Sequence, residues 1–230
     1  MVNVNGGYVL STVALVGASD FNAAHFAAHW KEGAFDAVIA VDGGFASLAA
    51  VDCAPDLAMG DFDSLGYVPE GMSVKAFSPE KDASDMELAL EEALARGADA
   101  VEVYGALGGA ARPHGGELAA LGLLCRAGGS LWPQWGERER IAFLVGPGEL
   151  RLPALPSGIV SVFSLTDVST GVVEEGLKYG LDGVALTNRT SWGLSNELVG
   201  TPARIALEAA RWQCFCRSSA VPFPILALQP

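Results

Sequence analysis

Residues Ala37-Val38-Ile39-Ala40-Val41-Asp42-Gly43-Gly44, followed by Gly60-Asp61-Phe62-Asp63-Ser64, decide how the first half of the chain folds. The apolar run 37–41 reads as a strand that ends abruptly on an acid and two glycines. Working outward, further short apolar runs near 8–17, 56–60, 74–78 and 100–106 alternate with helical patterns. This βαβα rhythm predicts a parallel sheet with helices on both faces. The clearest helix starts at Ser84-Asp85-Met86-Glu87, a capping-box pattern, with Leu88, Leu90 and Leu94 supplying apolar contacts and Gly97 ending it. A second helix is expected over 117–127, closed by Gly128-Gly129.

Between Trp132 and Arg140 the composition turns to Pro, Gly, Trp and alternating charges. A domain boundary is expected there, giving an α/β domain over 1–134 and a second domain over 135–230. Beyond it, short β-rich pieces at 141–145, 159–165 and 184–187 are separated by Gly, Pro and Asn turns, the pattern of a small β-sandwich. Only 202–210 has helical character in this half.

The chain has 230 residues, half of them apolar, enough for a packed core. Its 14 basic and 27 acidic residues give a net charge of -13, which argues against an electrostatic grip on nucleic acid or anionic lipid. A small ligand is expected instead. The apolar run 8–18 is too short to span a bilayer and lacks a basic residue before it, so it reads as a buried first strand. Cys53, Cys125, Cys214 and Cys216 lack zinc-site spacing. Reduced cysteines make the cytoplasm the default compartment.

Four of the five acids Asp42, Asp61, Asp63, Asp82 and Asp85 fall where strands hand over to loops or helices, the place where an open α/β sheet builds its ligand site. Hard carboxylate oxygens on loops suit Mg²⁺, which brings phosphates with it. Asp61 and Asp63 are two apart, so in an extended segment both side chains would leave one face and bracket an ion; the alternative is a tight turn. Gly43 and Gly44 let backbone approach a phosphate or simply turn the chain. Asp82 and Asp85 straddle the start of the capped helix, where acids also favour the macrodipole. Lys81 is either a solvated lysine or a point charge for a phosphate. The glycine-rich Gly105-Ala106-Leu107-Gly108-Gly109, with Arg112 and His114 after it, is not followed by a Walker-type Gly-Lys-Ser/Thr. Late in the chain, Trp192, Ser195 and Asn196 offer an aromatic face and hydrogen-bonding groups for a flat or cationic ring, or form an ordinary turn.

Taken in order, Asp-Gly-Gly, Gly-Asp-Phe-Asp-Ser, Lys-Asp-x-Ser-Asp-x-Glu-x-Ala-Leu, Gly-x-x-Gly-Gly and a late Trp-x-x-Ser-Asn, preceded by Gly176-Leu177-Lys178-Tyr179, resemble the thiamine pyrophosphokinase family. The resemblance implies an α/β domain binding ATP and Mg²⁺, then a β-sandwich binding thiamine, in a homodimer with sites between subunits. It implies pyrophosphoryl transfer from ATP to thiamine, giving thiamine diphosphate and AMP. By the resemblance Asp61, Asp63 and Asp85 organise Mg²⁺, with Asp42, Gly43, Gly44, Lys81, Asp82, Gly108, Gly109 and Arg112 on the nucleotide side. Trp192, Ser195 and Asn196 hold thiamine. One departure stands out: the family continues Arg-x-Asp-His after Gly-Gly, whereas this chain has Ala110-Ala111-Arg112-Pro113-His114-Gly115-Gly116-Glu117. The alternative is therefore a non-catalytic thiamine- or nucleotide-binding member with a degenerate loop over 109–120. A kinase acting on another small alcohol is a third reading.

Overall fold

The computed structural model describes residues 11–98, 100–106, 129–132, 139–145, 147–209, 211–218 and 228–229. The chain divides into two compact units, Met1–Ala120 and Leu121–Pro230. The expected boundary, 134/135, falls among residues outside the described set.

Among the described residues the first unit carries five parallel strands, β1 (Thr12–Val16), β2 (Ala37–Val41), β3 (Leu57–Gly60), β4 (Val74–Ala76) and β5 (Ala100–Tyr104). They lie in the order β5-β1-β2-β3-β4. Strands run outward from β1 to β4, then the chain returns to place β5 on the other side of β1. Aspartates set the entries. Asp36 accepts from the Thr12 amide at 2.8 Å while its own amide donates to the Thr12 carbonyl, and Asp56 makes the same reciprocal pair with Val38. Each satisfies backbone groups that the ladder would otherwise leave open at its first rung.

Among the described residues three helices accompany these strands: α1 (Ala23–Lys31), α2 (Gly44–Ala49) and α3 (Asp85–Ala95). Asn22 caps α1 by accepting from the His25 amide. Phe26 of α1 packs edge-on against Tyr104 of β5, ring centroids 5.3 Å apart, and both are fully buried. α2 starts where β2 ends and lies so close to β1 that a Cβ on Gly44 would sit 1.8 Å from the Val16 carbonyl oxygen. Only glycine fits there.

The α3 cap is as expected, with Ser84 Oγ accepting from the Glu87 amide at 3.2 Å. Its buried stripe is Met86, Ala89, Leu90 and Ala93, at helical spacing, packed over β1, β2 and β3. Of the expected apolar contacts Leu90 is in this stripe, whereas Leu88 is only partly buried and Leu94 is exposed. Small Ala89 and Ala93 let the helix approach the sheet and take the inward positions. The helix expected over 117–127 lies outside the described residues.

The second unit is antiparallel, with β6 (Gly129–Trp132), β7 (Glu139–Val145), β8 (Gly148–Leu152), β9 (Gly158–Ser164), β10 (Ser169–Glu175), β11 (Leu181–Leu186), β12 (Asn196–Glu197), β13 (Ala203–Leu207), β14 (Arg211–Ser218) and β15 (Leu228–Gln229). One ladder runs β12-β9-β14-β7-β6 and the other β11-β10-β13-β8-β15. Inward residues alternate along β9 at Val160, Val162 and Ser164, and on β10 the inward residues are Ser169 and, after a register shift, Val172 and Glu174. This is the β-sandwich that the sequence predicts. The stretch 202–210 is a correction. Its Ala, Leu and Glu favour a helix, but residues 203–207 form a strand hydrogen-bonded on both sides, to β10 and β8. Ladder pairing and burial override a weak intrinsic preference.

Candidate active site

Asp42 follows β2 and Asp61 follows β3, so neighbouring parallel strands deliver both acids to one end of the sheet. The ends of the strands approach closely, for a Cβ on Gly60 would lie 3.0 Å from the Asp42 Cα. The Asp42 amide donates to the Met59 carbonyl at 2.7 Å and fixes the register of this corner. Asp42 and Phe62 both take positive φ, 49° and 58°. For a buried phenylalanine such a backbone is costly, and it selects the tight turn of the two sequence readings. Residues 61–63 are not extended but turn sharply, with the Asp63 amide donating to Asp61 Oδ1 and the amides of Leu65 and Gly66 both donating to the Phe62 carbonyl.

The turn still brings the acids together. One carboxylate oxygen from each of Asp42, Asp61 and Asp63 lies within 4.8 Å of the others. Ser64 Oγ donates to Asp42 Oδ2 at 2.7 Å, while Asp42 Oδ1 is buried without a hydrogen-bond partner. An all-oxygen set with a buried acceptor left over suits a hard divalent cation. Nearby, Lys81 Nζ stands 3.1 Å from Asp61 Oδ2 and 3.1 Å from Asp85 Oδ1. The first contact is a hydrogen bond; the second has the distance of an ion pair without hydrogen-bond alignment.

These contacts move the three groups differently. The Asp63 amide, then Lys81, hold Asp61 below the usual carboxylate range. Asp85 is raised, because burial outweighs the pull of Lys81, and Asp61 and Asp42 add repulsion. Desolvation works against the Lys81 ammonium, yet its contacts with the Asp61 and Asp85 carboxylates outweigh this and raise it. Lys81 is therefore the local counter-ion. Asp42 belongs to the tight carboxylate group, whereas Asp85 reaches it through Lys81. Asp82 is exposed, outside the group and two residues before the Ser84 cap, so of the two acids expected in the first turn of α3 only Asp85 lies there. Gly43 packs against Ala18 and Ser64. Gly108, Gly109 and Arg112, with His114, Glu117 and the altered loop 109–120, lie outside the described residues.

In the second unit the residues of the late motif divide. Trp192 is 69% exposed, and Ser195 is exposed with φ 56°. Asn196 is buried. Its Nδ2 donates to Glu174 Oε2 at 2.7 Å and to the Tyr179 carbonyl at 2.6 Å, and its Oδ1 accepts from the amides of Tyr179 and Glu197. A primary amide has two donors and two acceptor sites, all used here. Asn196 thus joins residues 176–179 to 191–196, the two segments singled out in the sequence, and has no hydrogen bond to offer a ligand. Glu174 is the residue that sequence reasoning missed. Its signal is in Ser169-Thr170-Gly171-Val172-Val173-Glu174-Glu175, where alternation puts Glu174 on the inward face with Val172.

A family model described as the thiamin pyrophosphokinase catalytic domain matches residues 27–112. Over those residues the chain is similar to the thiamine pyrophosphokinase family. The match takes in Asp42, Asp61, Asp63, Lys81 and Asp85 and ends before the late motif. Solved thiamine pyrophosphokinases share the fold across both units. The protein from Bacillus subtilis superposes with TM-score 0.71 at 21% identity, covering 91% of this chain and 100% of the other. A thiamin pyrophosphokinase family protein from Enterococcus faecalis gives 0.69 at 26% identity, with 91% and 100% covered. The enzyme from Candida albicans gives 0.68 at 14% identity, with 90% of each chain covered. No curated protein matches the chain.

Proposed function

We propose that this chain transfers the diphosphoryl group of ATP to thiamine: the thiamine hydroxyl attacks the β-phosphorus, and thiamine diphosphate and AMP are formed. The observation that carries this reading is the convergence of Asp42, Asp61 and Asp63 at the ends of β2 and β3, within the segment that matches the family. These three carboxylates are the residues that would hold Mg²⁺, a fit supported by the unpartnered Asp42 Oδ1. Bound there, Mg²⁺ supplies charge neutralisation over phosphate oxygens. The Lys81 ammonium, poised between Asp61 and Asp85, adds a second positive charge for the phosphates. Ser64 holds Asp42 in orientation. On the thiamine side, exposed Trp192 offers its face to a cationic ring and Ser195 its hydroxyl. The same reading includes a cytoplasmic setting and a homodimer with sites between subunits, the latter to be checked by sedimentation velocity.

The test is AMP formation from Mg-ATP with and without thiamine, with thiamine diphosphate identified by mass. Asp61→Asn is expected to lower turnover by about 10²- to 10³-fold or more while the far-ultraviolet circular dichroism stays unchanged. Unchanged turnover in that variant would overturn the assignment of Asp61. The sequence departure at 110–114 favours a second reading, a binding protein that has lost the chemistry. Calorimetric binding of thiamine and Mg-ATP without AMP would select it, and AMP formation that depends on a different alcohol would redirect the acceptor.

A further inference from the structure

Glu174 lies on β10 in one ladder and Asn196 on β12 in the other, so their 2.7 Å hydrogen bond crosses the interior of the sandwich. Glu174 is 1% exposed, and its second oxygen, Oε1, is buried without a hydrogen-bond partner. That oxygen faces the candidate thiamine-side turn directly. A Cβ on Gly193 would lie 3.0 Å from Oε1 and 2.7 Å from the Val162 carbonyl oxygen, so the turn rests against the carboxyl group with no room for a side chain. Around it, the Val162 amide donates to the Gly193 carbonyl, the Ser195 amide donates to Ser161 Oγ, and the Leu194 amide donates to the Ser191 carbonyl. Through Asn196 the same carboxylate bears on Tyr179, whose amide and carbonyl are both held by the Asn196 side chain.

We propose that Glu174 is a positioning residue for recognition of the cationic acceptor: with Asn196 it fixes residues 191–195 and the Tyr179 backbone. Trp192 and Ser195 are thereby presented outward. This rests on the function proposed above and deepens it. Asn196 is then not a substrate contact. Its four hydrogen bonds are all spent inside the protein, and its effect on the ligand passes through the segments it ties. Burying a carboxyl group with one oxygen unpartnered costs free energy, and an apolar residue in line with Val172 would avoid that cost. Its presence behind the turn is what a positioning role explains.

The test compares steady-state kinetics of the wild type with Glu174→Leu, Glu174→Gln and Asn196→Asp. Glu174→Leu fills the volume and removes the acceptor; KM for thiamine is expected to rise about tenfold, the scale of one buried hydrogen bond lost, with KM for ATP and kcat little changed. Glu174→Gln keeps an oxygen for Asn196 and is expected to restore wild-type KM. Asn196→Asp places oxygen against Glu174 Oε2 and against the Tyr179 carbonyl and is expected to raise KM for thiamine; combining it with Glu174→Gln, whose amide donates to the new carboxylate, repairs the first contact alone and is expected to lower KM partway. No recovery in that double variant, or equal changes in the KM of thiamine and ATP, would overturn the proposal. Should the wild type neither turn over nor bind thiamine, the function proposed above fails, and positioning is read by hydrogen exchange instead. The amides of Tyr179 and Glu197, which donate to Asn196, are expected to exchange faster in Asn196→Asp and Glu174→Leu than in the wild type or Glu174→Gln. Equal protection in all four would sink the positioning role.

Discussion

Burial pushes the Glu174 carboxyl up from 4.5 to about 7, against the opposing hydrogen bond from Asn196. The folded protein therefore keeps a proton that the unfolded chain has already released. Between about pH 4.5 and 7 the native state binds the extra proton, so this group's contribution to stability falls as pH rises through that window and levels off above it. The full difference amounts to roughly 3 kcal/mol. Urea unfolding across this range should show a steeper loss of stability in the wild type than in Glu174→Gln, which cannot titrate. Parallel curves would place the charge change elsewhere. Individual acids were legible in the sequence only in part. Asp42, Asp61 and Asp63 were visible because they close strands, but their meeting depends on positive φ at Asp42 and Phe62, which spacing does not encode. Asn196 was visible as a motif residue, while its saturation by Tyr179, Glu197 and Glu174 required the fold.

Helix α3 shows how an element carries a site residue. The Ser84 cap satisfies the Glu87 amide in the turn that also holds Asp85, and Asp85 meets Lys81 one turn before it in sequence. Ser84→Ala should cost about 1 kcal/mol, measured as a lower urea midpoint, and should loosen the Lys81–Asp85 pair. A midpoint equal to wild type would mean that water replaces the cap. The parallel strands were readable because their apolar runs are short and end on Gly, Asp or Pro. The helix expected over 202–210 was misread for the opposite reason: the helix formers of β13 sit between two partner strands, and pairing across a sheet leaves no local trace in the sequence.

At the scale of the molecule, acidity is divided by task. Asp36 and Asp56 secure strand entries, the far ends of the same strands carry Asp42 and Asp61, and the net charge is -13. The carboxylates of the candidate site are partly neutralised within the protein, since Lys81 faces Asp61 and Asp85 and Ser64 faces Asp42. Metal removal is thus expected to abolish turnover without unfolding: with EDTA and no nucleotide, the melting temperature should match that of the Mg²⁺ form within about 2 °C, the shift expected of well under 1 kcal/mol. A collapse on chelation would make the metal a structural element. Lys81 then has a meaning for the life history of the chain. On the proposed Mg²⁺ reading, a lysine that guards an anionic corner lets the chain fold before it loads, so chains made without magnesium are expected to be folded and inactive. Resupply would wake them without new synthesis.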